Sequence, residues 1–141
     1  MASFVIDASA TLPWCFDDVA TAYTEGLLDR CAAGEEVMVV SIWPLEITNG
    51  LVDAQRRGRV TAEQVEQFLE QLLRLRIHVE PLTTQQAVQE VRRLAHTHGL
   101  TACDAAYLAL AIQFTLPLAT LDTDWFCREF YSCAISGRIS C

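Results

Sequence analysis

Residues 100–124 read LTACDAAYLALAIQFTLPLATLDTD. Asp104 stands at the start of an almost wholly apolar segment, which predicts a helix from about residue 102. A short apolar run at 116–121 follows and predicts a strand that runs into a second acid, Asp122, with Asp124 two residues on. Carboxylates at opposite ends of a buried helix–strand unit can face one site. The remainder of the chain reads as the scaffold and the other ligands of that site.

The same alternation extends back to the N-terminus. Residues 3–6 form an apolar run ending at Asp7, a buried first strand, and 8–16 follow as a short helix with Pro13 in or beside its last turns. Asp17 and Asp18 open the next helix, about 19–33, which Gly34 stops. Residues 37–41 are continuously apolar, as a central parallel strand should be. Pro44 suits the first turn of a helix at 43–57, closed by Gly58. Thr61-Ala62-Glu63-Gln64 and Thr83-Thr84-Gln85-Gln86 are capping boxes for two further helices, with a short third strand at 77–79 between them and Gly99 closing the second helix. Residues 125–131 predict a last helix and 132–135 a weak fifth strand. No hairpin signal joins adjacent strands. The pattern predicts one α/β domain over residues 1–141, three-layered, with a central, mostly parallel sheet of about five strands and helices on both faces.

With 141 residues and 52% hydrophobic content, the chain can bury a real core. Its net charge of -8 repels nucleic acid unless metal or a local Arg cluster reverses the field. All ten basic residues are Arg. The missing Lys excludes a P-loop, and with it the phospho-acceptor receivers and haloacid-dehalogenase phosphatases, which rely on a Lys near the phosphate. No GxGxxG supports a dinucleotide site. The six cysteines (15, 31, 103, 127, 133, 141) show no CxxC pair and read as reduced packing thiols. MASFVIDASA has neither the basic region nor the long apolar core of a signal peptide, and Gln113, Thr115 and Pro117 interrupt the apolar stretch 105–121. A cytoplasmic protein with no membrane segment is expected.

Each acid has a plain structural reading. Asp7 can cap a helix, Glu46 can complement a helix dipole, Asp104 can form a capping pair with Thr101, and Asp122 and Asp124 can cap whatever follows. Taken singly, that reading suffices. Taken together, Asp7 and Asp122 lie at carboxyl ends of strands, while Glu46 and Asp104 lie at helix starts. In an open parallel sheet all those places share one edge, where ligands bind. Converging carboxylates repel, and Mg²⁺ or Mn²⁺ is the usual compensation. Two such ions activate a water and stabilise the leaving oxygen in phosphodiester cleavage. Ser9, Asn49, Thr101 and Thr120 sit within a turn of the acids and can hold them or a water.

The segments VIDASA (5–10), SIWPLEITNGL (41–51), HGLTACDAAYLALA (98–111) and LATLDTD (118–124) resemble the PIN-domain family, and within it the VapC-type ribonuclease toxins of toxin–antitoxin pairs. The resemblance implies a Mg²⁺- or Mn²⁺-dependent endoribonuclease acting on RNA. It maps the acids onto Asp7, Glu46, Asp104 and Asp122, with Asp124 as a further ligand, and the supporting groups onto Asn49, Thr120, Ser9 and Thr101. It also implies a cognate antitoxin protein and a homodimer. The alternative from another class is a catalytically silent PIN fold that acts only by binding. Two departures stand out. Cys103 precedes the third acid where the family often has an aromatic or other residue, and the tail 127–141 offers only CAIS before Gly137 in place of a clear last strand.

Other features have plainer readings. Arg56, Arg57, Arg59, Arg92 and Arg93 read mostly as solvated helix faces, with a few available to RNA phosphate. His96 and His98 point apart on a helix and do not form a metal pair. Trp14 and Phe16 are either core or part of a groove for a partner helix, and the neighbouring Asp17 and Asp18 favour the groove.

Overall fold

The computed structural model describes residues 1–122. Within them, β1 (Phe4–Ile6), β2 (Val37–Val40), β3 (Ile77–Glu80) and β4 (Leu118–Ala119) form one sheet in the order β3-β2-β1-β4. Every pairing is parallel, with Phe4 opposite Val37 and Val5 opposite Leu118. Every residue of β1 and β2 is buried, whichever face it points to. Both faces of the sheet are therefore covered, as the unbroken apolar runs require. The fifth strand expected at 132–135, the helix expected at 125–131, the tail 127–141 and Asp124 lie outside the described residues.

The strand order locates the crevice. The chain builds outward from β1 through β2 to β3, then returns to lay β4 on the other side of β1. Such a reversal leaves an opening beyond the carboxyl ends of the two strands where it occurs, here β1 and β4.

β4 is shorter than the apolar run 116–121 suggests. Pro117 has no N–H to donate, though its carbonyl still accepts from the Val5 amide at 2.8 Å. Thr120 turns its hydroxyl into a side-chain contact with Asp7. Only Leu118 and Ala119 remain as strand.

The first helix is broken earlier than expected. α1 covers only Ala8–Thr11; Pro13 falls in a 3₁₀ turn, Leu12–Trp14, and a second such turn spans Asp17–Val19. α2 then runs Ala22–Ala32. Its start is fixed by Thr21 and Thr24, whose hydroxyls accept from each other's amides at 3.2 and 3.0 Å. That reciprocal cap, and not Asp17 or Asp18, sets the boundary. α3 runs Trp43–Arg56, with Gly58 at φ 71° just beyond it. α4 (Ala62–Leu72) opens with the expected Thr61–Gln64 box. α5 (Thr84–Gln86) opens with the Thr83–Gln86 box and passes through a π-helical turn, Ala87–Val91, into α6 (Arg92–His98). Gly99, at φ 65°, ends α6.

α7 (Ala102–Phe114) is apolar all round and contacts β1, β2 and β4 on one side and α6 on another. It is a core helix, and no helix among the described residues is long and apolar enough to cross a membrane.

Of the two readings of Trp14 and Phe16, core and groove, the structure favours core. Phe16 is 7% exposed, with the Arg59 guanidinium 4.9 Å from its ring centroid. Trp14 is half-buried, and its indole N–H donates to the Thr24 carbonyl at 2.8 Å. Both side chains serve the packing of the first turns against α2.

Candidate active site

Asp7 follows β1 directly and is 7% exposed. Its Oδ1 accepts from the Ala10 amide at 3.0 Å, which caps α1, and from the Ser9 hydroxyl at 2.6 Å. Its Oδ2 accepts from the Thr120 hydroxyl, at the end of β4. Thr120 in turn accepts from the Asp122 amide at 3.0 Å, and Ser9 accepts from the Leu121 amide at 2.9 Å. Two hydroxyls thus tie the ends of β1 and β4 together through one carboxylate, at the crevice where the sheet reverses. The capping role of Asp7 is real, but it occupies only part of what the side chain does.

Burial raises the Asp7 pKa; its hydrogen bonds oppose that shift, and the nearby Asp104 charge adds to it. Asp104 sits in the first turn of α7, where its amide donates to the Thr101 hydroxyl at 3.1 Å. Its pKa is also raised, by burial and then by the charge of Asp122, against the hydrogen bond from Thr101. Asp122 itself is exposed. Asp104 therefore lies within electrostatic reach of both Asp7 and Asp122.

Glu46, in the first turn of α3, reaches the same region through Tyr107 of α7, whose hydroxyl donates to Glu46 Oε1 at 2.6 Å. Burial, that hydrogen bond and the charges of Glu46 and Asp7 all push the phenol pKa up.

The sequence matches the PIN domain over residues 4–129. The chain belongs to the PIN-domain family. It is 27% identical over 118 residues to Ribonuclease VapC3 of Pyrobaculum aerophilum, spanning 84% of this chain and 88% of that relative. Its PIN fold is similar to the crystal structure of PAE2754 from Pyrobaculum aerophilum, with a TM-score of 0.62, 22% identity, and 89% and 84% of the two chains covered. It is also similar to a chain of a toxin-antitoxin complex from Klebsiella pneumoniae, with a TM-score of 0.59, 16% identity, and 90% and 92% covered.

The acids at this crevice would offer carboxylate oxygens only, and two of them, Asp7 and Asp104, are raised first by burial and then by a neighbouring charge, that of Asp104 for the one and of Asp122 for the other. That donor set suits a hard divalent cation, which offsets repulsion that hydrogen bonds alone leave in place. No three Asp, Glu, His or Cys side chains among the described residues are grouped closely enough to hold an ion as they stand. Asp124, the further ligand expected from the sequence, lies outside those residues.

The supporting residues divide. Ser9 and Thr120 touch Asp7, and Thr101 caps the helix that carries Asp104. Asn49 is exposed and forms no side-chain hydrogen bond with the acids among the described residues. Tyr107 and Tyr23 were not singled out from the sequence. The Tyr23 phenol, on α2, is raised by burial and then by the Asp7 charge, and it faces the Thr120 backbone. The signal for Tyr107 was its place three residues after Asp104, one helical turn along the same face. Cys103, beside Asp104, has its thiol pushed up by burial and by the charges of Glu46 and Asp104, which disfavours the nucleophilic thiolate.

Proposed function

We infer that this PIN-domain protein is a Mg²⁺- or Mn²⁺-dependent endoribonuclease, the toxin of a toxin–antitoxin pair. The observation that carries this reading is the meeting of Asp7 with Thr120 at the reversal of the sheet, with Asp104 within charge reach of both Asp7 and Asp122. The likeness to Ribonuclease VapC3 supports RNA as the substrate.

In this reading Asp7, Asp104 and Asp122, with Asp124, hold the cation, and Glu46 completes the acidic rim. Ser9 and Thr120 fix the Asp7 carboxylate by donating to its two oxygens. Thr101 fixes the start of α7 and so the position of Asp104. A bound cation would lower the pKa of a water and offset negative charge on the phosphodiester. The chain has no Lys to serve as a base, and a cut made by a water activated at the cation would be hydrolytic and leave 5′-phosphate and 3′-hydroxyl ends.

The test is cleavage of single-stranded and looped RNA with Mg²⁺ or Mn²⁺ and with excess EDTA. Metal-dependent cutting with 5′-phosphate ends is expected. Undiminished cutting in EDTA, or 2′,3′-cyclic products, overturns the mechanism. Metal uptake without any cutting would favour the catalytically silent binding module.

The net charge of -8 suits an Arg-bearing segment of an antitoxin, and the similar fold in a toxin-antitoxin complex supports such a partner. Pairing of two copies of the chain belongs to the same reading. A short reading frame for a DNA-binding protein immediately upstream, whose product co-purifies with this chain, is the expected observation.

A further inference from the structure

Tyr107 carries a hydroxyl that packing alone does not require. The residue is 2% exposed on a helix whose other buried positions are Ala and Leu. Phe would fill the same space without a polar atom to satisfy. The hydroxyl instead spans from α7 to α3 and donates to Glu46 Oε1 at 2.6 Å. Glu46 is only half-buried, so water could have satisfied that oxygen without help. Its other oxygen, Oε2, takes no hydrogen bond among the described residues. A glutamate has several rotatable bonds, and a free one samples many orientations. A donor on an immobile ring removes that freedom.

We propose that Tyr107 is a positioning residue that holds the Glu46 carboxylate in its working orientation, with Oε2 left for the cation or its water. The inference rests on the functional reading above and adds a residue to it. Tyr107 lies one helical turn after Asp104, so α7 presents one acid directly and locks a second through its phenol. Groups that orient a ligand in this way typically change metal affinity or activity by about 10–100-fold when removed.

The experiment is calorimetric titration of Mg²⁺ into wild type, Tyr107→Phe, Glu46→Gln and the double variant, with melting of each in EDTA. Tyr107→Phe keeps the ring. It should melt near wild type without metal, yet bind Mg²⁺ about tenfold more weakly. In the Glu46→Gln background it should make no further difference, because the two residues act as one unit. Unchanged Mg²⁺ affinity in Tyr107→Phe, or an equal further loss in the double variant, overturns the proposal. Should Tyr107→Phe fail to fold, wild type and Glu46→Gln suffice. The Tyr107 hydroxyl proton, followed by NMR, should shift on Mg²⁺ addition in wild type and not in Glu46→Gln. An unmoved resonance in wild type that does bind Mg²⁺ overturns the proposal. A wild-type protein that neither binds Mg²⁺ nor cuts RNA removes the functional reading and this inference together. One that does both, while Tyr107→Phe binds Mg²⁺ equally well, removes this inference alone.

Discussion

Asp7→Asn separates the cap that Asp7 forms from the cation ligand it is proposed to be. Asn caps a helix about as well as Asp, so the bond from the Ala10 amide survives on the side-chain oxygen. The new NH₂ replaces the oxygen that accepts from Thr120, whose hydroxyl can turn its proton toward Ser9, 3.3 Å away. The charge is lost, and with it repulsion from Asp104. Charges a few ångströms apart repel by about 1–4 kcal/mol at effective dielectrics of 80 to 20. The variant should therefore melt higher than wild type in EDTA, by roughly 4 °C per kcal/mol relieved. It should also lose most of its Mg²⁺-induced stabilisation and show no measurable RNA cleavage. Equal melting, equal Mg²⁺ response and equal cutting would reduce Asp7 to a cap. The positions of Asp7, Glu46 and Asp104 were legible in the sequence because each closes a strand or opens a helix. Tyr107 was not, because a tyrosine in a helix apolar on every side looks like core.

Among the elements, α4 and α7 make a matched pair. Thr61 caps one and Thr101 the other, each accepting from the amide three residues on at 3.1 Å. Replacing either with Ala should cost about 1 kcal/mol. Only Thr101→Ala should also weaken the Mg²⁺-induced rise in melting temperature, since α7 carries Asp104 and Tyr107 and α4 carries none of the acids proposed for the site. Equal Mg²⁺ responses in the two variants would detach α7 from the site. The boxes at Thr61 and Thr83 were readable because a side chain and an amide three residues apart are a local matter. The reciprocal Thr21–Thr24 cap lacked the Glu or Gln that marks such a box, so the start of α2 was misplaced onto Asp17 and Asp18. Trp14 and Phe16 were left between core and groove for a different reason. Whether an aromatic beside two acids faces water depends on α2 and on Arg59, which the local sequence does not reveal.

At the scale of the molecule, Asp7 and Asp104 make stability depend on pH and, in the reading proposed above, on the cation. Both native pKa values lie above 3.8, so the native state takes up protons first. Their contribution to metal-free stability is full below pH 3.8 and is lost as pH rises through the raised values. The melting advantage of Asp7→Asn in EDTA should accordingly vanish near pH 4 and grow toward neutrality. An advantage independent of pH would contradict the origin in charge. Mg²⁺ at one hundred times its dissociation constant should stabilise wild type by about 2.7 kcal/mol. The parallel alternation was readable from end to end, but the order β3-β2-β1-β4 was not, because no local signal says which strand lies beside which. That order has a kinetic consequence. Asp7 Oδ1 is held locally by Ser9 and Ala10, but Thr120 meets Oδ2 across 113 positions, so that second oxygen waits for nearly the last described residue. Domains emerge N-terminal end first at about 5–20 residues per second. On the ribonuclease reading proposed above, a nascent chain would leave Asp7 without its full set of donors until Thr120 has left the ribosome.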